Sequence, residues 1–296
     1  MIQQILAIPA TGAICATSGA LNSAPCSRRA LAAAATALAL LAPWLVSSDA
    51  PGVRVACAGG AVLALFRNLD IYRGQGEWSA RRRAIHVVGT FDSRRLARVP
   101  HQGAWALWIR LGAFGVPTAV LSCILMGVRT PQDVAAWALR WTCGAVWAYT
   151  SIETLTAFAQ ALAGLFGVQL PKLHDDPILS RSLSEFWGRR WNLSVRDMLY
   201  EHCFRPLRAR AGPEIAVIGT FGASALLHFW LTLAAAGPTM AASMASYFLI
   251  EGALVLAERA ISVRQWRVTL RRAWTAGCVL LPLPLLLEPL LNVTLE

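Results

Sequence analysis

The sequence predicts an all-α fold, a polytopic transmembrane helical bundle of about seven to nine membrane helices with an amphipathic interfacial helix at about 182–200. Three observations carry that expectation. Of the 296 residues, 56% are hydrophobic and only 15% are charged, whereas soluble domains carry about a quarter charged residues. The apolar residues gather into runs long enough to cross a hydrocarbon core, which takes about 20 residues of helix. Finally, the net charge of +11 comes from 26 Arg and one Lys clustered between those runs, as topology signals are.

Taken in order, the start MIQQILAIPATGAICATSGA lacks a basic n-region and contains Pro9 and Gly12, so it reads as a short membrane-associated helix and not as a cleaved signal peptide. The apolar runs are then Ala30 to Val46, Pro51 to Phe66, Gly103 to Val128, Val134 to about Val168, Ile215 to Ala236, Met240 to Ala257 and Ala273 to Leu291. That makes seven crossings with an eighth open. The segments Arg28–Arg29, Arg67–Arg98, Lys172–Arg210 and Arg259–Arg272 hold 23 of the 27 basic residues. If each run crosses once, all four lie on one face, and the positive-inside rule makes that face cytoplasmic. The same rule favours one long helix, or a span plus a re-entrant piece, over two spans in 134–168. No repeat or soluble module interrupts the chain, so residues 1–296 read as a single membrane-embedded domain.

Several function classes recede on composition. The arginines come with no zinc-finger spacing or other DNA-binding pattern, so no nucleic-acid partner is expected. The seven cysteines, at 15, 26, 57, 123, 143, 203 and 278, form no CxxC pair and fall mostly in apolar runs, which leaves no metal or disulfide framework.

One polar interruption stands out, SLSEFWGRRWN at Ser182 to Asn192. Ser182 and Glu185 make an S-x-x-E capping box. At 100° per residue, Trp187, Trp191, Val195 and Met198 share one stripe, while Glu185, Arg189, Asn192 and Arg196 share another, with Glu185 and Arg189 spaced to pair. The pattern describes a helix lying at the interface, with Trp at headgroup level or packed on protein. Pro206 and Gly212–Pro213 end it. The second feature is FGASALLHFW at Phe221 to Trp230. His228 lies about 20 Å along its run, deep in the bilayer. An ionisable residue at that depth marks a functional site unless it serves only helix packing. Ser224, one turn earlier, is placed to help fix the ring. Of the other intramembrane charges, Arg110 and Glu251 are at similar depths and would pair, and Arg54 and Arg140 would snorkel to the outer interface.

SLSEFWGRRWN, the following RDMLYEHCFRP and then FGASALLHFW together resemble the membrane-bound O-acyltransferase family, in its wax synthase-like branch. The motif core runs over residues 177–230. The resemblance implies acyl transfer from acyl-CoA to an alcohol inside the membrane. By position, His228 matches the family's catalytic histidine and Asn192 its polar partner, with Ser224, Trp187 and Trp191 in support. It also implies acyl-CoA as co-substrate with no permanently bound cofactor and no metal, and a lipophilic alcohol and membrane lipids as the other partners. Arg189, Arg190, Arg196, Arg205 and Arg208 are the cations available to the CoA phosphates. Phe229 stands where diacylglycerol and sterol acyltransferase relatives carry an acid, which argues against those two branches. The chemistry suits the residues, since a neutral imidazole can take an alcohol's proton while amide or indole N–H groups stabilise the oxyanion.

The expected activity is therefore formation of a wax ester from a fatty acyl-CoA and a long-chain alcohol. Acetyl or short-acyl transfer to a terpenoid, sterol or other secondary-metabolite hydroxyl stays open, as do a small transporter and a non-catalytic scaffold. The expected location is a bacterial inner membrane or an endoplasmic reticulum, with loop 171–213 on the cytoplasmic side. Nothing in the residues speaks to oligomeric state.

Overall fold

The computed structural model describes residues 6–23, 26–74, 78–89, 91–98 and 104–295. Helix dominates, and among the described residues the only strands are a two-residue antiparallel ribbon pairing Ala97 with Gln169 and Arg98 with Val168. With its apolar helices, the chain is a helical membrane protein. Among the described residues, three helical stretches are long and apolar enough to cross a membrane: Pro51–Arg73, Trp105–Gly127 and Leu193–Ala260. The pair Val268–Leu280 and Pro284–Leu295, bent by 48°, qualifies together as a fourth.

The apolar runs all become helix, and their ends follow from proline and glycine. Ala7–Leu21 passes through Pro9 because a proline in the first turn has no N–H that the helix needs. Cys26–Leu41 tightens into a 3₁₀ turn at Ala42–Leu45, where Pro43 stands. The run expected from Gly103 is Ala104–Gly127, Gly103 itself lying outside the described residues. Val134–Leu165 is one unbroken helix of 32 residues, so of the readings open for 134–168 a single long helix is the one found. Arg205–Ala260 is broken at Gly212 (φ 88°) and Gly237 (φ 80°). Each precedes a proline, which bars the α conformation from the residue before it, and glycine alone adopts the alternative without strain. The breaks leave rods at 213–236 and 238–260.

The helices form two compact units interleaved in sequence, Met1–Ser93 with Asp197–Gly252, and Arg94–Arg196 with Ala253–Leu295. In the first, Ala39, Ala61, Ala64, Cys15 and Val87 form a core of small residues that lets helix backbones approach closely. Asn68 fastens three helices there. Its amide nitrogen donates to the hydroxyls of Ser18 (2.9 Å) and Thr36 (3.2 Å), and its oxygen accepts from Asn22 (3.0 Å). Arg83 donates to the carbonyls of Gly19 (3.3 Å) and Ala20 (2.7 Å), meeting the orphan acceptors at the end of Ala7–Leu21. Asp70 gathers Arg67, His86 and His202 at 3.3, 3.4 and 3.1 Å.

The rods at 213–236 and 238–260 touch where Gly252 faces Phe221. A Cβ on Gly252 would stand 2.8 Å from the Cβ of Phe221, and a Cβ cannot swing away as a side-chain end can. Gly252→Ala is therefore expected to destabilise the protein by about 1–3 kcal/mol, read as a lower midpoint of thermal unfolding in detergent. An unchanged midpoint would show that the rods part freely.

In the second unit, Ala104–Gly127 and Val134–Leu165 form a helical hairpin held by Trp147 donating to Ser122 (2.8 Å) and by the Thr118–Thr154 hydroxyl pair (3.2 Å). Leu287, Leu291 and Leu295 of the last helix pack with Leu125. Two expectations about charges are corrected here. Arg110 pairs with Glu153 and donates to Gln160, not with Glu251, because Glu153 faces it across the hairpin. Arg140 does not snorkel. It is 4% exposed and pairs with Glu288 at 3.0 Å, a partner from 148 residues away that offsets its desolvation. Arg54 also turns inward, donating to the carbonyls of Val46 (2.8 Å) and Ala234 (3.1 Å).

Candidate active site

The FWGRRWN segment begins as its capping box requires, with the Ser182 hydroxyl accepting from the Glu185 N–H at 3.0 Å. The continuous amphipathic helix expected over 182–200 does not form. Leu183–Glu185 opens an α-turn, Phe186–Arg190 is a π-turn, the chain breaks at Trp191 and Asn192, and Leu193–Leu199 starts afresh. The cause lies in the π-turn, whose bond runs from the Trp191 N–H to the Phe186 carbonyl (2.9 Å), five residues apart instead of four. That shift changes the ion pair. Glu185 takes Arg190, at 2.8 Å from both Nε and Nη2, and not Arg189. Burial raises the Glu185 pKa, but the Arg181 N–H and the Arg190 guanidinium outweigh it and hold the carboxyl below the usual carboxylate range.

Asn192 sits in the left-handed region at φ 37°, a conformation that asparagine tolerates better than other side chains. Its Oδ1 accepts from the Val195 N–H at 3.3 Å, capping the next helix, so what the side chain has to offer a substrate is its Nδ2 donor. Two backbone bonds bracket the turn, from the Asp175 N–H to the Arg190 carbonyl (2.9 Å) and from the Leu193 N–H to the Leu173 carbonyl (2.8 Å). Trp191 stacks on Phe186, with centroids 5.5 Å apart and planes at 13°, and meets His174 at 4.5 Å. Trp187 packs edge-on against Phe186. Both indoles thus pack on protein.

The segment is also gripped from a distance. Glu258, 4% exposed, accepts from the Leu183 N–H (2.6 Å) and the Ser184 N–H (3.4 Å), which places a carboxylate on the first free N–H groups of the motif. Glu258→Ala leaves these donors unpaired. It is expected to cost about 1–3 kcal/mol and to speed amide exchange at residues 183 and 184. Unchanged exchange would mean that the cap is dispensable.

His228 belongs to the first unit, on the rod at 213–236. Its Nδ1 lies 2.8 Å from the Ser224 carbonyl and 3.5 Å from the Ser224 hydroxyl. A carbonyl only accepts, so Nδ1 carries the proton and Nε2 the lone pair. The ring stacks on Phe248 with centroids 3.9 Å apart and planes at 26°. Backbone and aromatic face together fix both tautomer and orientation.

Residues 170–250 match the model of the membrane bound O-acyl transferase family, and that interval contains both the Asn192 turn and the His228 rod. Over this segment the chain is similar to that family. Similar proteins point the same way. The long-chain-alcohol O-fatty-acyltransferase of Simmondsia chinensis is 32% identical over 142 residues, 43% of this chain and 40% of that one. The probable long-chain-alcohol O-fatty-acyltransferase 2 of Arabidopsis thaliana is 30% identical over 136 residues, 42% and 39% of the two chains. An acyl-CoA–sterol O-acyltransferase 1 of Arabidopsis thaliana is 35% identical over 92 residues, 28% and 27%. The chain thus spans about two fifths of the length of the long-chain-alcohol relatives it matches.

Within the matched segment, the five arginines expected at the CoA phosphates have different employments. Arg190 is committed to Glu185 and to the Asp175 carbonyl (3.0 Å), and Arg205 pairs with Glu201 at 3.1 Å. Arg189 and Arg208 are exposed, and Arg196 is half-buried. Asn192, Trp187, Trp191 and Arg189, Arg190 and Arg196 belong to the second unit; Ser224, His228, Arg205 and Arg208 belong to the first. Glu258, His174 and Glu153 escaped the reading of the sequence. Glu153 did leave a signal there, as a lone acid inside an apolar run. His174 and Glu258 left none, because their partners lie 21 and 75 residues away.

Proposed function

We propose that the chain transfers an acyl group from acyl-CoA to the hydroxyl of a lipophilic alcohol, a long-chain fatty alcohol giving a wax ester. The observation that carries this reading is the fixed tautomer of His228, a neutral imidazole whose Nε2 is the basic nitrogen, inside the segment that matches the family. In the reaction the alcohol proton passes to Nε2 as the alcohol oxygen attacks the thioester carbonyl. The tetrahedral oxyanion takes an N–H donor, for which Asn192 Nδ2 is our assignment. The C–S bond then breaks, and the imidazolium returns the proton to the CoA sulfur, so the base is regenerated. A water-poor setting keeps the thioester from hydrolysis.

The chain acts in this reading as one membrane-embedded domain with seven crossings and the loop 171–213 on the cytoplasmic face, as the clustering of its arginines supports. Acyl-CoA then meets the exposed Arg189 and Arg208 with its phosphates, while Arg196 stays a candidate and Arg190 and Arg205 hold the protein's own carboxylates. A sterol acceptor is the second reading, favoured by the similarity to a sterol O-acyltransferase, and Phe229 does not exclude it. Membranes containing the protein, given labelled acetyl-, decanoyl- and palmitoyl-CoA against hexadecanol and a sterol, separate the two. The proposed function yields palmityl palmitate above every other product; an ester of the sterol alone, or none at all, sinks it.

A further inference from the structure

The second unit contains a buried imidazole–carboxylate pair that the reaction above does not use. His174, 4% exposed, lies with its Nδ1 2.7 Å from Oε1 of Glu153, itself 1% exposed. The other Glu153 oxygen accepts from Arg110, which also donates to Gln160. A carboxylate oxygen only accepts, so Nδ1 carries a proton that points toward Glu153. Its Nε2 is buried and meets no hydrogen-bond partner among the described residues. The working end of this side chain is therefore Nδ1 and the ring face.

That face lies against Trp191, with centroids 4.5 Å apart, and Tyr149 of the helical hairpin approaches both rings, at 5.8 and 6.4 Å. The backbone on either side of His174 makes the two bonds that bracket the Trp191–Asn192 turn, through the Leu173 carbonyl and the Asp175 N–H. A single residue is thus fixed to the 32-residue helix Val134–Leu165 at its ring and to the motif turn at its backbone. An apolar side chain would pack on Trp191 as well, but it would lack the directional tie to Glu153 that sets where the 173–175 segment lies.

We infer that His174 is a positioning residue for the acyl-transfer site: anchored through Nδ1 to Glu153, it holds the left-handed turn that presents Asn192. The inference rests on the acyltransfer reading for its kinetic consequence and on the geometry alone for its structural one. The test uses the full chain in lipid nanodiscs, as wild type and as the variants H174A, H174N and H174Q. Asparagine keeps an N–H donor near the position of Nδ1, whereas glutamine keeps one near Nε2.

Two readouts are taken, ester-forming kcat and KM per folded protein, and hydrogen exchange across residues 173–196. H174A is expected to lower kcat by about 10²-fold, the cost of a catalytic group displaced by about an ångström, with KM for acyl-CoA little changed. Exchange at the Asp175 and Leu193 amides rises while the helices at 104–165 keep their protection. H174N restores rate and protection and H174Q restores neither. Wild-type rate and exchange in H174A, or rescue by H174Q and not by H174N, overturns the inference. If the wild type makes no ester, the acyltransfer reading fails while the exchange readout still decides the positioning claim.

Discussion

Replacing His228 with alanine is expected to lower ester formation by about 10²- to 10⁴-fold, the usual contribution of a general base, while the protein accumulates in the membrane at its wild-type level. Among the described histidines, His228 is the one whose Nδ1 is tied to the carbonyl one helical turn back, 2.8 Å away, so that its Nε2 is held as a base. The ring also lies flat on Phe248, and that packing costs nothing when a neutral tautomer is the working form. Ser224→Ala serves as the internal control. It removes a hydroxyl 3.5 Å from Nδ1 and leaves the closer carbonyl in place, so its rate should stay near wild type. Initial rates of the three proteins at matched amounts decide the matter. A fully active His228→Ala protein removes the histidine from the mechanism, and an inactive Ser224→Ala protein would assign the ring's orientation to the hydroxyl.

The second large effect belongs to Asn192, whose residue type answers two demands at once. Its backbone is left-handed at φ 37°, and its side chain caps the helix at Leu193–Leu199 through the Val195 N–H. Alanine loses the cap and bears the left-handed strain, together about 2 kcal/mol. Glycine relieves the strain and loses only the side chain, and aspartate keeps both the cap and the backbone preference. If Asn192 serves only the turn, N192D is active and N192G nearly so. If its Nδ2 is the oxyanion donor, both variants fold and both lose about 10²- to 10³-fold in kcat, aspartate included, because a carboxylate repels the developing charge. The account predicts the latter pattern. Active N192D protein would return Asn192 to a purely structural role.

The helices were legible in the sequence because their signal is local. Runs such as Ala104–Gly127 and Val134–Leu165 need only hydropathy, and Gly212–Pro213 breaks the helix by chemistry confined to two residues. Ser182 with Glu185, and Ser224 with His228, were legible for the same reason, since their spacings are those of one α-turn. The reading failed where the local rule itself changed. A wheel drawn at 100° per residue paired Glu185 with Arg189 and ran a Trp stripe through 187 and 191, but the π-turn hands Glu185 to Arg190 and breaks the helix before Asn192. It failed again where a charge found its partner across the fold. Arg140 with Glu288, Glu258 with the N–H groups of 183 and 184, and His174 with Glu153 are meetings made by packing, and spacing along the chain carries no trace of them.

The central claim is tested most directly by the stoichiometry of a single reaction. The purified chain in lipid vesicles is given radiolabelled palmitoyl-CoA and hexadecanol, and CoA thiol and ester are measured in the same samples. One palmityl palmitate is expected for each CoA released, with both products falling together by about 10²- to 10⁴-fold in the His228→Ala protein. CoA release without ester, or ester formed equally by the variant, would contradict it.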